Sequence, residues 1–181
     1  MKIIDKAEQE KLFSIYETPE HVQLHCNEVA RVAGLIGEAL NEKGYHLDIQ
    51  RIRGAAMVHD LVRVQKDHDI KGGEILDKIG YHPEAELVRH HMKYYPFSSI
   101  SNINEQDVLC LADRLVKEHQ YVGLDARMDY LIHKPGCTPE MEKRILKSKE
   151  HTAAFIRGIE SVIGESLDDL CAQNRQFTEI Q

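Results

Sequence analysis

Imidazole and carboxylate side chains occur along the chain in an order that suits a metal ion. In chain order they are His25, the adjacent pair His59 and Asp60, His68, the adjacent pair His90 and His91, and Asp113. These residue types hold a divalent ion while leaving coordination positions open for water and substrate. An ion held in that way lowers the pKa of its water and stabilises charge on a phosphoryl oxygen. The sequence therefore predicts metal chemistry and says less about the substrate.

The elements that position these residues are predicted to be helices. Apolar residues recur at helical spacing, and the clearest stripe comprises Val22, His25, Val29, Val32, Ile36 and Leu40, behind Pro19. Further stripes predict helices over residues 49–59, 72–79, 83–91, 108–115, 139–162 and 167–171. We find no convincing alternating strand pattern and no internal repeat, so we expect an all-α fold.

Length and charge limit the kinds of protein that the chain can be. The 181 residues suit one domain, and we expect residues 1–138 to form a metal-binding helical domain. Residues 139–181 are predicted to be a helical extension packed on that domain, which either caps the pocket or pairs two subunits in a homodimer. The net charge of −7 argues against a broad nucleic-acid surface, but an ion can still attract a small anionic substrate.

The cysteines and the apolar runs predict where the protein resides. The four cysteines form no C-x-x-C pair and are interpreted as free thiols of a reducing compartment. The first residues lack an apolar signal core, and no apolar run approaches membrane-spanning length. We therefore expect a cytoplasmic protein with no membrane association.

His25 and His59 each fall on the apolar stripe of a predicted helix. A single histidine in such a position is usually a core residue that bonds to a neighbouring polar group. A buried carboxylate, however, is costly unless it is paired or bound to metal. Because Asp60 follows His59 directly and Asp113 lies in another apolar helix, we predict that these four residues bind one ion.

The other candidates fit a second ion and a phosphorylated substrate. Adjacent helical residues diverge by about 100°, so His90 and His91 cannot both face one ion in the same way. We predict that His68 and His90 bind a second ion and that His91 contacts substrate. Basic residues follow the predicted ligands, and those expected to contact a phosphate are Arg63, Lys66 and Arg114.

The motif order resembles the HD-domain superfamily of metal-dependent phosphohydrolases, whose signature is H…HD…D on a helical bundle. Residues 25–30 resemble the first motif, residues 55–60 the apolar helix that ends in His-Asp, and residues 111–114 the last motif. The resemblance spans roughly residues 19–117 and implies an HD-domain-like helical bundle. It also implies that Asp60 bridges the two ions if a second is present. Many relatives continue as His-Asp-Ile-Gly-Lys, whereas this chain has Leu61, Val62 and Arg63 after the pair.

The resemblance implies a phosphohydrolase that acts on a nucleotide or another small phosphate ester through metal-activated water. The mixed nitrogen and oxygen ligands suit one or two ions of Mn, Fe, Co, Zn or Mg, and the extra histidines favour Mn or Fe over Mg alone. Two alternatives remain open at this point. One is a non-catalytic module that binds metal and nucleotide for regulation, and the other is a di-iron oxygenase of the HD fold.

Overall fold

The computed structural model describes residues 2–92 and 96–173. Within these ranges the chain forms nine α-helices, one 3-10 turn at Ile100–Asn102 and one short hairpin. The helices are α1 (Lys6–Ile15), α2 (Glu20–Glu42), α3 (Ile49–Val58), α4 (His68–Lys78), α5 (His82–His90), α6 (Glu105–Leu115), α7 (Gly123–Ile132), α8 (Pro139–Ile163) and α9 (Leu167–Gln173). The hairpin joins β1 (Val116–Lys117) and β2 (Gln120–Tyr121), with Val116 opposite Tyr121 and Lys117 opposite Gln120.

The predicted all-α fold is confirmed, with differences in detail. The two strands have two residues each, which is too short to show an alternating pattern. Helices α1 and α7 were not predicted, because few of their residues face the core. Helix α4 begins at His68, four residues before the predicted start, so that His68 lies in its first turn.

Helix α2 is the central element, and α3 and α6 pack directly against it. The stripe residues Val29, Val32, Ile36 and Leu40 are fully buried, as are Ile52 on α3 and Leu109 on α6. Polar caps fix where the neighbouring helices start. Asp48 accepts a hydrogen bond from the backbone of Arg51 at the start of α3, and Asn104 forms a capping box with Asp107 at the start of α6. The caps therefore fix the starts of α3 and α6, the two helices that lead to His59, Asp60 and Asp113.

The C-terminal helices share the core of the preceding helices. Helix α8 packs on α7, and its Phe155 ring stacks on Phe97 with 4.3 Å between ring centroids. Ile159 on α8 and Leu167 on α9 belong to the same buried cluster as α2. A domain boundary at residue 138 stays a prediction, and residues 174–181 of the predicted extension lie outside the described residues.

Two sequence expectations concern the cysteines and membranes. None of the four cysteines, all of which lie in the described part of the chain, forms a disulfide, and Cys26, Cys110 and Cys171 are buried. Among the described residues, none of the helices combines the length and the apolar character needed to cross a membrane.

Candidate metal centre

Six candidate ligands from five places in the chain meet at one end of the helical bundle. All but one lie at or next to a helix end, where a side chain can reach past the neighbouring helices. They are His25 within α2, His59 and Asp60 directly after α3, His68 at the start of α4, His91 directly after α5, and Asp113 near the end of α6. We call these six residues the floor of the site.

Backbone carbonyls orient three of the four floor histidines. In each of them Nδ1 lies within hydrogen-bonding distance of a carbonyl oxygen. The carbonyls belong to Glu118 for His25 (2.7 Å), Ala56 for His59 (2.8 Å) and Val88 for His91 (2.7 Å). A neutral imidazole that donates from Nδ1 presents a lone pair on Nε2. The same arrangement is common around metal ions, where it fixes the ring and its tautomer.

The first group of ligand atoms surrounds one point between α2, α3 and α6. Nε2 of His25 lies 3.0 Å from Oδ1 of Asp113, and Nε2 of His59 lies 3.7 Å from the same oxygen. Oδ2 of Asp60 lies 3.6 Å from His59 and 4.0 Å from His25. Ligands about 2.1 Å from a shared ion at tetrahedral or octahedral angles are roughly 3.0–3.4 Å apart. The group, which we call the first cradle, therefore has nearly the dimensions of a metal site.

A second group of ligand atoms surrounds the other oxygen of Asp60. Oδ1 of Asp60 lies 3.0 Å from Nε2 of His68 and 3.4 Å from Nε2 of His91. We call Asp60, His68 and His91 the second cradle, and their ligand atoms are close enough together to hold an ion. Since the two oxygens of Asp60 face different cradles, this one carboxylate can bridge two ions.

Unpartnered nitrogens show that the floor fits a metal ion. Nε2 of His59 and Nε2 of His91 are buried and have no hydrogen-bond partner among the described residues. A buried polar atom without a partner costs free energy, so native structures rarely contain one without a functional reason. A cation between these nitrogens and the carboxylates would satisfy both kinds of atom.

The electrostatics of the floor also favour positive charge. Burial raises the pKa of the Asp60 carboxyl, but His59, His68 and His91 outweigh that effect and hold its pKa well below the ordinary value. Burial likewise opposes ionisation of Asp113, whose pKa His25 and His59 bring well below its usual range. Burial lowers the pKa of His59, whereas Cys26, Asp60 and Asp113 raise it more, to well above the usual value. The floor therefore holds ionised carboxylates and attracts cations.

His91, rather than the predicted His90, faces the other floor residues. The His90 side chain is 60% exposed and faces Glu86 at 3.9 Å, away from the floor. The His91 side chain is 1% exposed and faces Asp60. His91 lies three residues after the buried Val88 and four after the buried Leu87, so it continues their face of α5. The structure thus brings His91, and not the predicted His90, to the floor.

The three predicted basic contacts differ in their positions. Arg63 and Arg114 line the cavity above the floor, and Arg114 also lies over the Phe97 ring at 4.6 Å. Lys66 is exposed and is not among the residues that line this cavity. Arg63 and Arg114 therefore face the cavity, and Lys66 does not.

The cavity has a volume of about 550 Å³ and opens directly onto Asp60, His25 and Asp113. Four further basic side chains, which we call the basic wall, also line it: Arg114, Lys117, Arg127 and Lys134. Nε of Arg127 is buried without a hydrogen-bond partner among the described residues, and the guanidinium lies 5.7 Å from the centre of the Tyr130 ring. Lys117 lies over the same ring at 4.2 Å. Apart from Arg114, the sequence analysis missed the wall, because the hairpin and α7 have no strong apolar periodicity.

Comparison with known proteins agrees with this geometry. The family model for the HD domain matches residues 22–118. The chain is 31% identical over 86 residues to the uncharacterized protein MJ0778 of Methanocaldococcus jannaschii, an alignment that covers 45% of this chain and 51% of that protein. The chain thus spans about half the length of this curated relative. No solved structure matches the chain. With a match over more than half of its length, around the residues of the floor, the chain belongs to the HD-domain family.

Proposed function

We propose that this protein is a metal-dependent phosphohydrolase that acts on a nucleotide or another small phosphate ester. The observation that carries the proposal is the position of the floor. Its buried imidazoles and carboxylates open onto a cavity lined by basic side chains, in a protein whose net charge is −7. HD-domain membership implies a divalent metal, and the floor offers the ligands for it.

The floor residues hold and orient the reacting groups. A divalent ion in the first cradle would lower the pKa of a coordinated water and stabilise charge on a phosphoryl oxygen. His25, His59, Asp60 and Asp113 would hold that ion, with the Nδ1 bonds to backbone carbonyls fixing the directions of the two imidazoles. Asp60 is 5% exposed, so bulk water competes little with its interactions.

The basic residues bind the substrate and stabilise its charge. Arg63 and Arg114 are the guanidinium groups of the cavity nearest in sequence to the ligands Asp60 and Asp113. Guanidinium groups bind phosphate oxygens with two parallel hydrogen bonds, and these bonds strengthen as negative charge builds up. Lys117, Arg127 and Lys134 extend the positive surface away from the floor. We propose that they bind the part of the substrate beyond the reacting phosphate.

The experiment is a measurement of phosphate release from a panel of nucleotides and small phosphate esters. Protein stripped of metal is tested with added Mn, Fe, Co, Mg or Zn, beside the variants Asp60→Ala and His90→Ala. We expect metal-dependent release that is lost in Asp60→Ala and kept in His90→Ala, whose side chain faces away from the floor. Full activity of a folded Asp60→Ala variant would contradict the proposed site. No release with any metal that the protein binds would favour a regulatory binding module.

The oxygen-dependent reaction of some HD-fold proteins is a second candidate. A di-iron pair needs two neighbouring groups of ligands that share a carboxylate, and the two cradles share Asp60. One contact weighs against it: the guanidinium of Arg63 lies against the second cradle. Consumption of oxygen by the iron-loaded protein with an organic substrate would favour this alternative over hydrolysis.

A further inference from the structure

We propose that the Arg63 guanidinium is an internal cation that competes with a divalent ion for the second cradle. The inference depends on the floor being a metal centre, as proposed above, but not on which reaction the centre catalyses. It assigns to Arg63 control over the number of ions bound, in addition to any contact with substrate.

The contacts of one nitrogen carry the inference. Nη1 of Arg63 lies 2.9 Å from Nε2 of His68 and 3.4 Å from Oδ1 of Asp60. These are two of the three ligand atoms of the second cradle, and they are 3.0 Å apart. The guanidinium therefore contacts the same atoms that a second ion would bind.

Hydrogen-bonding rules make the two occupants mutually exclusive. Nε2 of His68 lies within hydrogen-bonding distance of both Oδ1 of Asp60 and Nη1 of Arg63. Because arginine cannot accept a hydrogen bond, this nitrogen is the acceptor when it pairs with Arg63 and the donor when it pairs with Asp60. An imidazole nitrogen has one lone pair, which either accepts that hydrogen bond or binds a metal ion. The second ion can bind His68 only after Arg63 has moved away.

The surroundings of Arg63 allow that movement. Its side chain is 45% exposed and also lines the cavity in which a phosphate would bind. Its other contact near the cradle is with the sulfur of Met92 at 3.7 Å, a weak acceptor. Leaving the cradle therefore costs Arg63 few interactions, and the cavity offers it a place near an anion. Three of the floor histidines are oriented by a backbone carbonyl, whereas the Arg63 side chain has no hydrogen bond to a backbone atom among the described residues.

The size of the effect depends on how much of the time Arg63 occupies the second cradle. When a binding site is blocked for part of the time, the apparent affinity is the intrinsic affinity multiplied by the fraction of time that the site is open. If Arg63 occupies the second cradle for about nine tenths of the time, the second ion binds about tenfold more weakly than it would without Arg63. The first cradle, which Arg63 does not contact through His25 or His59, would be affected less.

The experiment is a calorimetric titration of the metal-free full chain with Mn²⁺, together with elemental analysis of the ions retained. The variant Arg63→Met removes the guanidinium and keeps an unbranched, uncharged side chain. Lys66→Met is the matched control. It removes the same charge three residues along the chain, from an exposed side chain that does not line the cavity. We expect the second Mn²⁺ to bind about tenfold more tightly in Arg63→Met and with unchanged affinity in Lys66→Met.

A third variant and a spectroscopic measurement make the result specific. Adding His68→Ala to Arg63→Met should return the protein to one tightly bound ion, which shows that the gained ion occupies the second cradle. Paramagnetic resonance should detect coupled Mn²⁺ pairs in Arg63→Met at concentrations where the unaltered protein shows isolated ions. Titration curves of Arg63→Met that superimpose on those of the unaltered protein would overturn the inference, as would an equal gain in Lys66→Met. Absence of phosphate release would contradict the proposed function and leave these metal measurements unaffected.

Discussion

The floor and the basic wall line the same cavity but are built in different ways. The floor consists of short, mostly buried side chains, three of them oriented by hydrogen bonds to backbone carbonyls. The wall consists of long basic side chains, and those of Lys117 and Arg127 lie near the ring of Tyr130. Tyr130 itself is 37% exposed, so the ring supports these chains at the edge of the solvent.

This difference indicates a division of roles. A reacting centre needs ligands held within a fraction of an ångström, which burial and backbone hydrogen bonds provide. A surface that recognises an anion can tolerate mobile chains, because the attraction between charges falls off gradually with distance. We therefore expect changes in the floor to alter metal binding and the rate of the chemical step. Changes in the wall should alter substrate affinity.

The largest effect is expected from Asp113→Asn in the floor. The amide keeps the size of the side chain but loses the charge that faces His25 and His59. We expect kcat/KM to fall on the order of a thousandfold, because the first ion loses an anionic ligand worth several kcal/mol of charge stabilisation. Steady-state phosphate release with saturating metal measures this, with circular dichroism to show that the helices persist. A loss no larger than that of a wall variant would break the comparison.

A smaller effect is expected within the pair His90 and His91. Replacing His91 by Ala removes a buried candidate ligand atom of the second cradle. Loss of a partner that only supports a ligand costs about 10- to 100-fold in metal affinity, so we expect the affinity of that cradle to fall by at least this much. Replacing His90 by Ala should leave metal affinity unchanged, since its side chain faces Glu86 in solvent. Metal titration of the two variants side by side measures the difference. An equal loss of metal affinity in both variants would mean that His90 also binds the metal.

The smallest effect is expected from Arg127→Gln in the wall. The change removes one positive charge and keeps a polar side chain, so we expect KM for a phosphorylated substrate to rise several-fold while kcat stays the same. The difference should shrink as salt is added, because ions screen charges near the surface. Arg157→Gln on α8, which does not line the cavity, is the matched control. A fall in kcat without a change in KM would instead place Arg127 at the reacting phosphate.

The sequence predicted the floor far better than the wall, and the reason is burial. His25, His59 and Asp113 lie on strongly apolar stripes, where a polar residue is conspicuous and needs a partner. For the adjacent pair, the sequence analysis predicted His90 as the ligand, whereas the structure places His91 on the floor, as the spacing from Leu87 and Val88 indicates. Helix α7 buries only Gly123 and Met128, so it has almost no stripe to recognise. Its position against the cavity follows from packing on α8, which no local pattern reveals.

The turn of the short hairpin connects the two sides of the cavity through adjacent residues. Glu118 has a left-handed backbone with φ of 54°, and its carbonyl accepts the Nδ1 hydrogen bond of His25. The residue before it, Lys117, belongs to the basic wall. Any movement of the Lys117 backbone would therefore also move the Glu118 carbonyl, which orients the imidazole of His25. Loop length is constrained here as a result: one inserted residue would misalign the imidazole and displace the lysine at the same time.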